Sequence, residues 1–167
     1  ALDEQSVLQI FTAKNRPHFD PLILHFADFS EVEKYVLSIP EIFHVIAHEN
    51  CPGPITFLLK KKPIISDLVT SGSDLVAVRI PKHPMTLALL SQLDFPLAAP
   101  SANPFGYISP TTALHVEKQL GDKIDYILDG GPCEVGLEST IISLDDDGSL
   151  VVHRKGGMEV DLLKKYG

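Results

Sequence analysis

The sequence predicts an α/β (α+β) fold: a twisted, mixed parallel/antiparallel sheet with flanking helices. Three observations carry this. Apolar runs of strand length alternate with amphipathic stretches through the early and middle chain. Near the end, strand-like runs instead follow one another across the tight Asp145-Asp146-Asp147-Gly148 turn. Of 167 residues, 44% are hydrophobic and 22% charged, which suits one globular domain over 1–167 with a substantial core. No internal repeat, low-complexity segment or linker divides it.

The first element is an amphipathic helix over 3–13. Val7, Leu8, Ile10 and Phe11 form its apolar face, Asp3 and Glu4 suit its N-terminus, and Pro17 stops continuation. Residues 21–26 read as a buried strand. A helix follows over 28–37, where Ser30 and Glu33 resemble a capping box. A weaker helix is expected over 42–47. Cys51-Pro52-Gly53-Pro54 is a hard turn into a strand over 55–59. Residues 66–70 are ambiguous. Leu75-Val76-Ala77-Val78-Arg79-Ile80 is a strong strand ended by Pro81, and 83–93 a Leu-rich helix with Pro84 in its first turn. Leu97-Ala98-Ala99 reads as a short buried strand that breaks into Pro100-Ser101-Ala102-Asn103-Pro104. A helix from Ser109 to a stop at Gly121 comes next, then strands over 123–128, 137–144 and 150–153. Gly156-Gly157 precedes a short helical tail.

The formal net charge is −8, which opposes a general nucleic-acid-coating role while permitting a local basic pocket. The two cysteines, Cys51 and Cys133, form neither a zinc framework nor a disulfide scaffold, so a reduced, cytoplasmic setting is expected. Seven histidines lie scattered without metal-site spacing, and no protein-built metal site is expected. No apolar run reaches the length of a membrane span, so no membrane partner is expected.

Several polar residues stand where elements end. Lys14 and Arg16 close the first helix, where cations suit the helix dipole but also offer a point charge and a planar fork for phosphate. His25 lies in an apolar strand, where a satisfied core histidine is the ordinary role. Arg79 follows four apolar strand residues; it suits a carboxylate or phosphate ligand, or a structural ion pair. Ser101 and Asn103 alternate along a Pro-braced loop, as an ordinary turn or as ligand donors. Ser139 and Thr140 begin a strand, as cap and β-former or as hydroxyl donors. Arg154-Lys155-Gly156-Gly157 places cations beside flexible backbone that can approach an anion. No segment matches a Walker A loop or a dinucleotide fingerprint. Taken together, cations and small hydroxyl donors at element ends suit a polyanion, in the manner of a nucleotide site.

In order, Lys14-Asn15-Arg16-Pro17, Pro21-Leu22-Ile23-Leu24-His25, Pro52-Gly53-Pro54-Ile55-Thr56 and Val76-Ala77-Val78-Arg79-Ile80-Pro81 lead to Ala99-Pro100-Ser101-Ala102-Asn103. Ser109-Pro110-Thr111, Gly130-Gly131, Glu138-Ser139-Thr140-Ile141 and Arg154-Lys155-Gly156 complete the series. Over nearly the whole chain this series resembles the YrdC-like family of threonylcarbamoyl-AMP synthases. The resemblance implies a concave ligand cavity on the sheet and a reaction of ATP, L-threonine and bicarbonate. Its products are threonylcarbamoyl-adenylate and pyrophosphate, and the adenylate feeds N6-threonylcarbamoyladenosine formation at position 37 of tRNAs through a downstream transferase machinery. Mg²⁺ is implied as the companion of ATP.

The resemblance places Lys14, Arg16, Ser101, Asn103, Ser109 and Arg154 on ATP, with the backbone of Leu75 facing the nucleotide. His25, Arg79 and Ser139 line the threonine pocket, Arg79 toward the carboxylate, with the backbone of Ala99 beside it. Asp20 takes a nucleotide-facing position where the family usually has Asn. An acid repels phosphate, which leaves the adenosine side or a metal as its alternatives. The chain begins after a Pro-Thr-Glu-Thr-Val-Tyr-Gly-Leu-Gly type segment of the family and ends near the linker to the second domain of longer members. It therefore reads as a fragment, with weak threonine binding expected if nothing precedes Ala1. The other activities the resemblance permits are a double-stranded RNA or tRNA-binding module and a carbamoyl-transfer accessory domain.

Overall fold

The computed structural model describes residues 1–166. Helix α1 spans Glu4–Lys14, with Asp3 as its N-cap accepting from the Gln5 N–H and Asn15 as a left-handed C-cap. Strand β1 covers Ile23–His25, shorter than the expected 21–26 because Leu22 instead donates to the Val69 carbonyl, off the sheet. The 28–37 segment is a 3-10 helix over Phe29–Lys34, not a full α-helix. Its cap is Asp28, which accepts from both the N–H and the hydroxyl of Ser30, so the expected Ser30–Glu33 capping box does not form. Helix α2 is longer than expected, Glu41–Asn50, and seals Phe43, Ile46 and Ala47.

Strand β2 is Ile55–Lys60 and β3 is Leu75–Arg79, with a single turn of helix, α3, at Asp67–Thr70 between them. Helix α4 is Pro84–Leu90 and β4 only Leu97–Ala98. Helix α5 begins late, at Ala113–Leu120, because Thr112 rather than Ser109 supplies the cap. The expected strand over 123–128 is absent: Tyr126 is 92% exposed and no ladder partner lies beside it. Alternating residues alone do not make a strand without an edge to pair with. Strands β5, Thr140–Leu144, and β6, Leu150–Arg154, pair through the predicted turn, closed by the Gly148 N–H on the Asp145 carbonyl. A 3-10 segment over Val160–Tyr166 ends the described chain.

The six strands lie in the order β4-β1-β3-β2-β5-β6. β1 and β3 are parallel, as are β2 and β5; the other pairs are antiparallel. The predicted mixed sheet is therefore observed. Register decides what each face carries, because successive side chains point to opposite faces. Leu24, Val76, Val78, Ile55, Phe57 and Ile142 share one face and are buried with Phe11, Phe43 and Ile46 from the covering helices. The alternate residues, Ile23, His25, Ala77, Arg79, Thr56 and Ile141, share the other face. No helix among the described residues is long and apolar enough to cross a membrane.

Candidate functional site on the open sheet face

Centred on β3, the second face gathers the polar residues that the apolar strands otherwise lack. His25 and Arg79 are direct cross-strand partners, so their side chains lie side by side. Arg79 donates through Nε to the Gly53 carbonyl at 3.3 Å. That carbonyl is available because the turn before β2 folds tightly: a Cβ on Gly53 would stand 2.2 Å from the Asn50 oxygen. Among the described residues, Arg79 is in no ion pair. Burial, then the charge of Arg154, lowers its pKa from the ordinary arginine value. A guanidinium held beside another cation and given no carboxylate is poised for an anionic ligand.

His25 is pushed down to about 4 by burial and by the Arg79 charge, so it is neutral near pH 7. Its Nδ1 is buried without a hydrogen-bond partner. A neutral imidazole with a spare nitrogen can donate to or accept from a ligand.

Next to them, Thr56 and Ser139 share a hydrogen bond of 2.7 Å, and both are buried. Arg154 donates through Nε to the Ser139 carbonyl at 3.0 Å and through Nη2 to its hydroxyl at 3.1 Å, while Nη1 pairs with Glu138. Strand alternation through Leu150 and Val152 would aim Arg154 into the packed face. A register shift at Ile141/Ile142 sets Arg154 beside Ile141 instead. Such a bulge re-aims a side chain at the cost of one ladder step. The segment after β6 is clamped here: a Cβ on Gly156 would lie 2.2 Å from the Glu138 oxygen, which also accepts from Gly157 at 2.7 Å.

A second cluster joins α1 to the loop after β4. The ammonium of Lys14, a residue 5% exposed, donates to the carbonyls of Ser101 and Asn103, and the Phe105 N–H returns to the Lys14 carbonyl at 2.8 Å. Burial and the Arg16 charge push its pKa down to about 8. The Asn103 amide nitrogen donates to Pro104 and Tyr107, each at 2.9 Å, and its buried Oδ1 is unpaired. Arg16 is tied to Asp20 by a 2.9 Å ion pair, to the Asp20 carbonyl at 3.1 Å and to the Pro21 carbonyl at 2.9 Å. Burial lowers its pKa from the ordinary value. Glu138 is the link between the clusters, since its charge acts on Lys14, Arg16 and Arg79 alike.

The structure thus brings His25, Arg79, Ser139 and Arg154 together, and Lys14, Arg16, Asp20, Ser101 and Asn103 together. Ala99 directly follows β4 and donates its N–H to the Ile23 carbonyl at 3.1 Å. Ser109 is half-buried in the loop before α5. Leu75 shares the open face but lies at the far end of β3 from Arg79, its N–H taken by the Ser73 hydroxyl at 3.0 Å. Sequence reasoning gave no role to Thr56 or Glu138. Thr56 had a signal, a lone hydroxyl inside the apolar run Ile55-Thr56-Phe57. Recesses of about 230 Å³ beside Glu33 and His44, and about 470 Å³ beside Glu4 and Asp74, contain none of these residues.

The Sua5/YciO/YrdC family model, described as telomere recombination, matches residues 1–156. The threonylcarbamoyl-AMP synthase of Pyrococcus abyssi is 42% identical over 99% of this chain and 48% of its own length. That of Bacillus subtilis is 42% identical over 95% of this chain and 46% of its own. The chain spans about half the length of these curated relatives. The crystal structure of P. abyssi Sua5 complexed with L-threonine superposes with a TM-score of 0.95 at 42% identity, covering 99% of this chain and 48% of that one.

Proposed function

The chain belongs to the Sua5/YciO/YrdC family, and from that premise we propose that its open sheet face serves L-threonylcarbamoyladenylate synthesis. The substrates are L-threonine, bicarbonate or CO₂, and ATP; the second product is pyrophosphate. The observation that carries the reading is Arg79, a partly buried guanidinium without a carboxylate partner, set between a neutral histidine and a buried hydroxyl pair. Its terminal nitrogens suit the threonine carboxylate, with His25 and Ser139 flanking and the Ala99 backbone alongside. The P. abyssi relative, whose structure was solved with L-threonine, supports threonine as a substrate.

On this reading the threonine amine adds to CO₂, losing a proton and forming a carbamate. A carbamate oxygen then attacks the α-phosphorus of ATP, and the bond to the β-phosphate oxygen breaks to release pyrophosphate. The protein contributes position and charge rather than a nucleophile. Arg16 and Arg154 face the phosphates. Lys14 shapes the Ser101–Asn103 loop by its carbonyls and has a third proton to offer. Ser101, Asn103 and Ser109 contact ATP, with Leu75 and Asp20 toward the nucleotide. The paired Asp20 does not oppose the triphosphate as a free acid would, because Arg16 holds it.

The residues present do not form a resident Mg²⁺ site. No three His, Cys, Asp or Glu side chains gather for a metal among the described residues, and Asp20 and Glu138 are both held by arginines. The adenylate would pass to the transferase machinery that modifies tRNA.

The test is pyrophosphate release from ATP that requires both L-threonine and bicarbonate. Arg79→Ala and Arg16→Ala are expected to suppress it. Full activity in both variants would remove these residue roles. A chain that releases no pyrophosphate yet binds RNA steeply as salt falls would be an RNA-binding module instead.

A further inference from the structure

Arg154 is proposed above as a phosphate contact, yet its guanidinium already has a partner. Nε and Nη2 are fixed on Ser139, and the remaining edge, through Nη1, carries the Glu138 carboxylate. Three of its five N–H groups are so used, and a phosphate that takes the remaining two, one on Nη1 and one on Nη2, meets the Glu138 carboxylate at Nη1. The Glu138 backbone is pinned by Gly157 and by the close approach of Gly156. Its side chain is not pinned: it is 45% exposed, so the carboxylate can swing into water without breaking the sheet.

We propose that Glu138 is an internal competitor for anions at Arg154, a carboxylate that opposes a polyphosphate there, swings aside as it binds and returns as pyrophosphate leaves. The inference rests on the reading of this face as a polyphosphate site. Glu138 acts on more than one cation, since Lys14, Arg16 and Arg79 all feel its charge. An isolated exposed pair would have little influence on binding. A carboxylate paired with Arg154, whose charge also acts on three further cations, lowers the affinity of the anions that compete with it. The face is thereby kept from retaining its pyrophosphate product.

The experiment is calorimetric titration of inorganic pyrophosphate into the chain as wild type, Glu138→Gln, Arg154→Gln and the double variant, with melting curves for each. Glu138→Gln is expected to tighten pyrophosphate binding about three- to fivefold. In the Arg154→Gln background most of that gain should vanish. The KM for ATP should fall in Glu138→Gln without a rise in kcat. Equal or weaker binding by a normally melting Glu138→Gln protein would overturn the proposal, leaving Glu138 as a brace for Arg154. An undiminished gain without Arg154 would also overturn it. If neither wild type nor Glu138→Gln binds pyrophosphate, the polyphosphate reading itself falls, and the competitor role with it. Tighter binding without threonine-dependent turnover would keep the competitor and remove the synthase.

Discussion

On one face of the sheet Leu24, Val76, Val78, Phe57 and Ile142 are closed off from water. One residue along the same strands, the other face carries His25, Ala77, Arg79, Thr56 and Ile141. The first set gains stability from burial that needs no partner of defined geometry. The titratable members of the second set, His25 and Arg79, work against stability. Burial lowers the pKa of both Arg79 and His25, so the fold bears a cost for holding them. Neighbouring residues on one backbone therefore answer to opposite demands, and a substitution should show which face it touched.

The largest expected effect lies on the packed face. Phe57 is fully buried, with its ring 5.1 Å from Phe43 and 5.2 Å from Phe29. Phe57→Ala should cost about 3–5 kcal/mol in urea unfolding through the cavity it leaves. A loss under 1 kcal/mol would show that the two faces do not differ as described. Next comes Arg79→Ala on the open face. Threonine-dependent kcat/KM should fall by roughly 30- to 150-fold, equivalent to about 2–3 kcal/mol of charged hydrogen bonding. Unfolding stability should stay level or rise, since a desolvated charge beside Arg154 has gone. A large loss of stability would make Arg79 a structural residue.

The packed face was legible in the sequence. Strands β2 and β3 stand out as apolar runs ended by charge or proline, and the Asp145–Gly148 hairpin turn announces β5 and β6. What misled was local pattern without long-range context. Residues 123–128 look like a strand, but no described strand pairs with them and Tyr126 faces water. Ser30 and Glu33 have the spacing of a capping box, but Asp28 competes successfully for the same N-terminus. The open face was legible only as separate polar residues at element ends. Their convergence depends on features with no local signature, such as the bulge that turns Arg154 toward Ser139 and the buried lysine that gathers the Ser101–Asn103 loop.

The pH dependence sharpens the contrast further. In the folded chain His25 titrates at about 4 rather than 6.5, through burial and the Arg79 charge. Between these values the unfolded chain takes up a proton that the folded chain refuses. Stability from this group is complete above pH 6.5 and is lost as pH falls toward 4. The slope cannot exceed about 1.4 kcal/mol per pH unit for one proton, and relaxation of a face open to water should reduce the total to about 1–2 kcal/mol. Unfolding curves of His25→Gln should show a flatter profile over that window and no change on the alkaline side. An identical profile would mean that His25 is free to ionise in the folded chain.

The smallest effect belongs at the edge of the open face, where Asp20 pairs with Arg16 at 2.9 Å and is 34% exposed. Water screens such a pair, so Asp20→Asn should alter stability by only about 0–0.5 kcal/mol. Arg16 keeps its bonds to the Asp20 and Pro21 carbonyls in that variant, because neither uses the carboxylate. Its orientation should therefore persist while its charge becomes less compensated. Pyrophosphate should bind up to about twofold more tightly, a smaller gain than for Glu138→Gln because Asp20 acts on Lys14 and Arg16, whereas Glu138 acts on Arg79 as well and pairs with Arg154. A gain at Asp20 equal to or above that at Glu138 would shift the centre of anion binding from Arg154 to Arg16. It would also make the end of α1, rather than the sheet face itself, the place where phosphate is held.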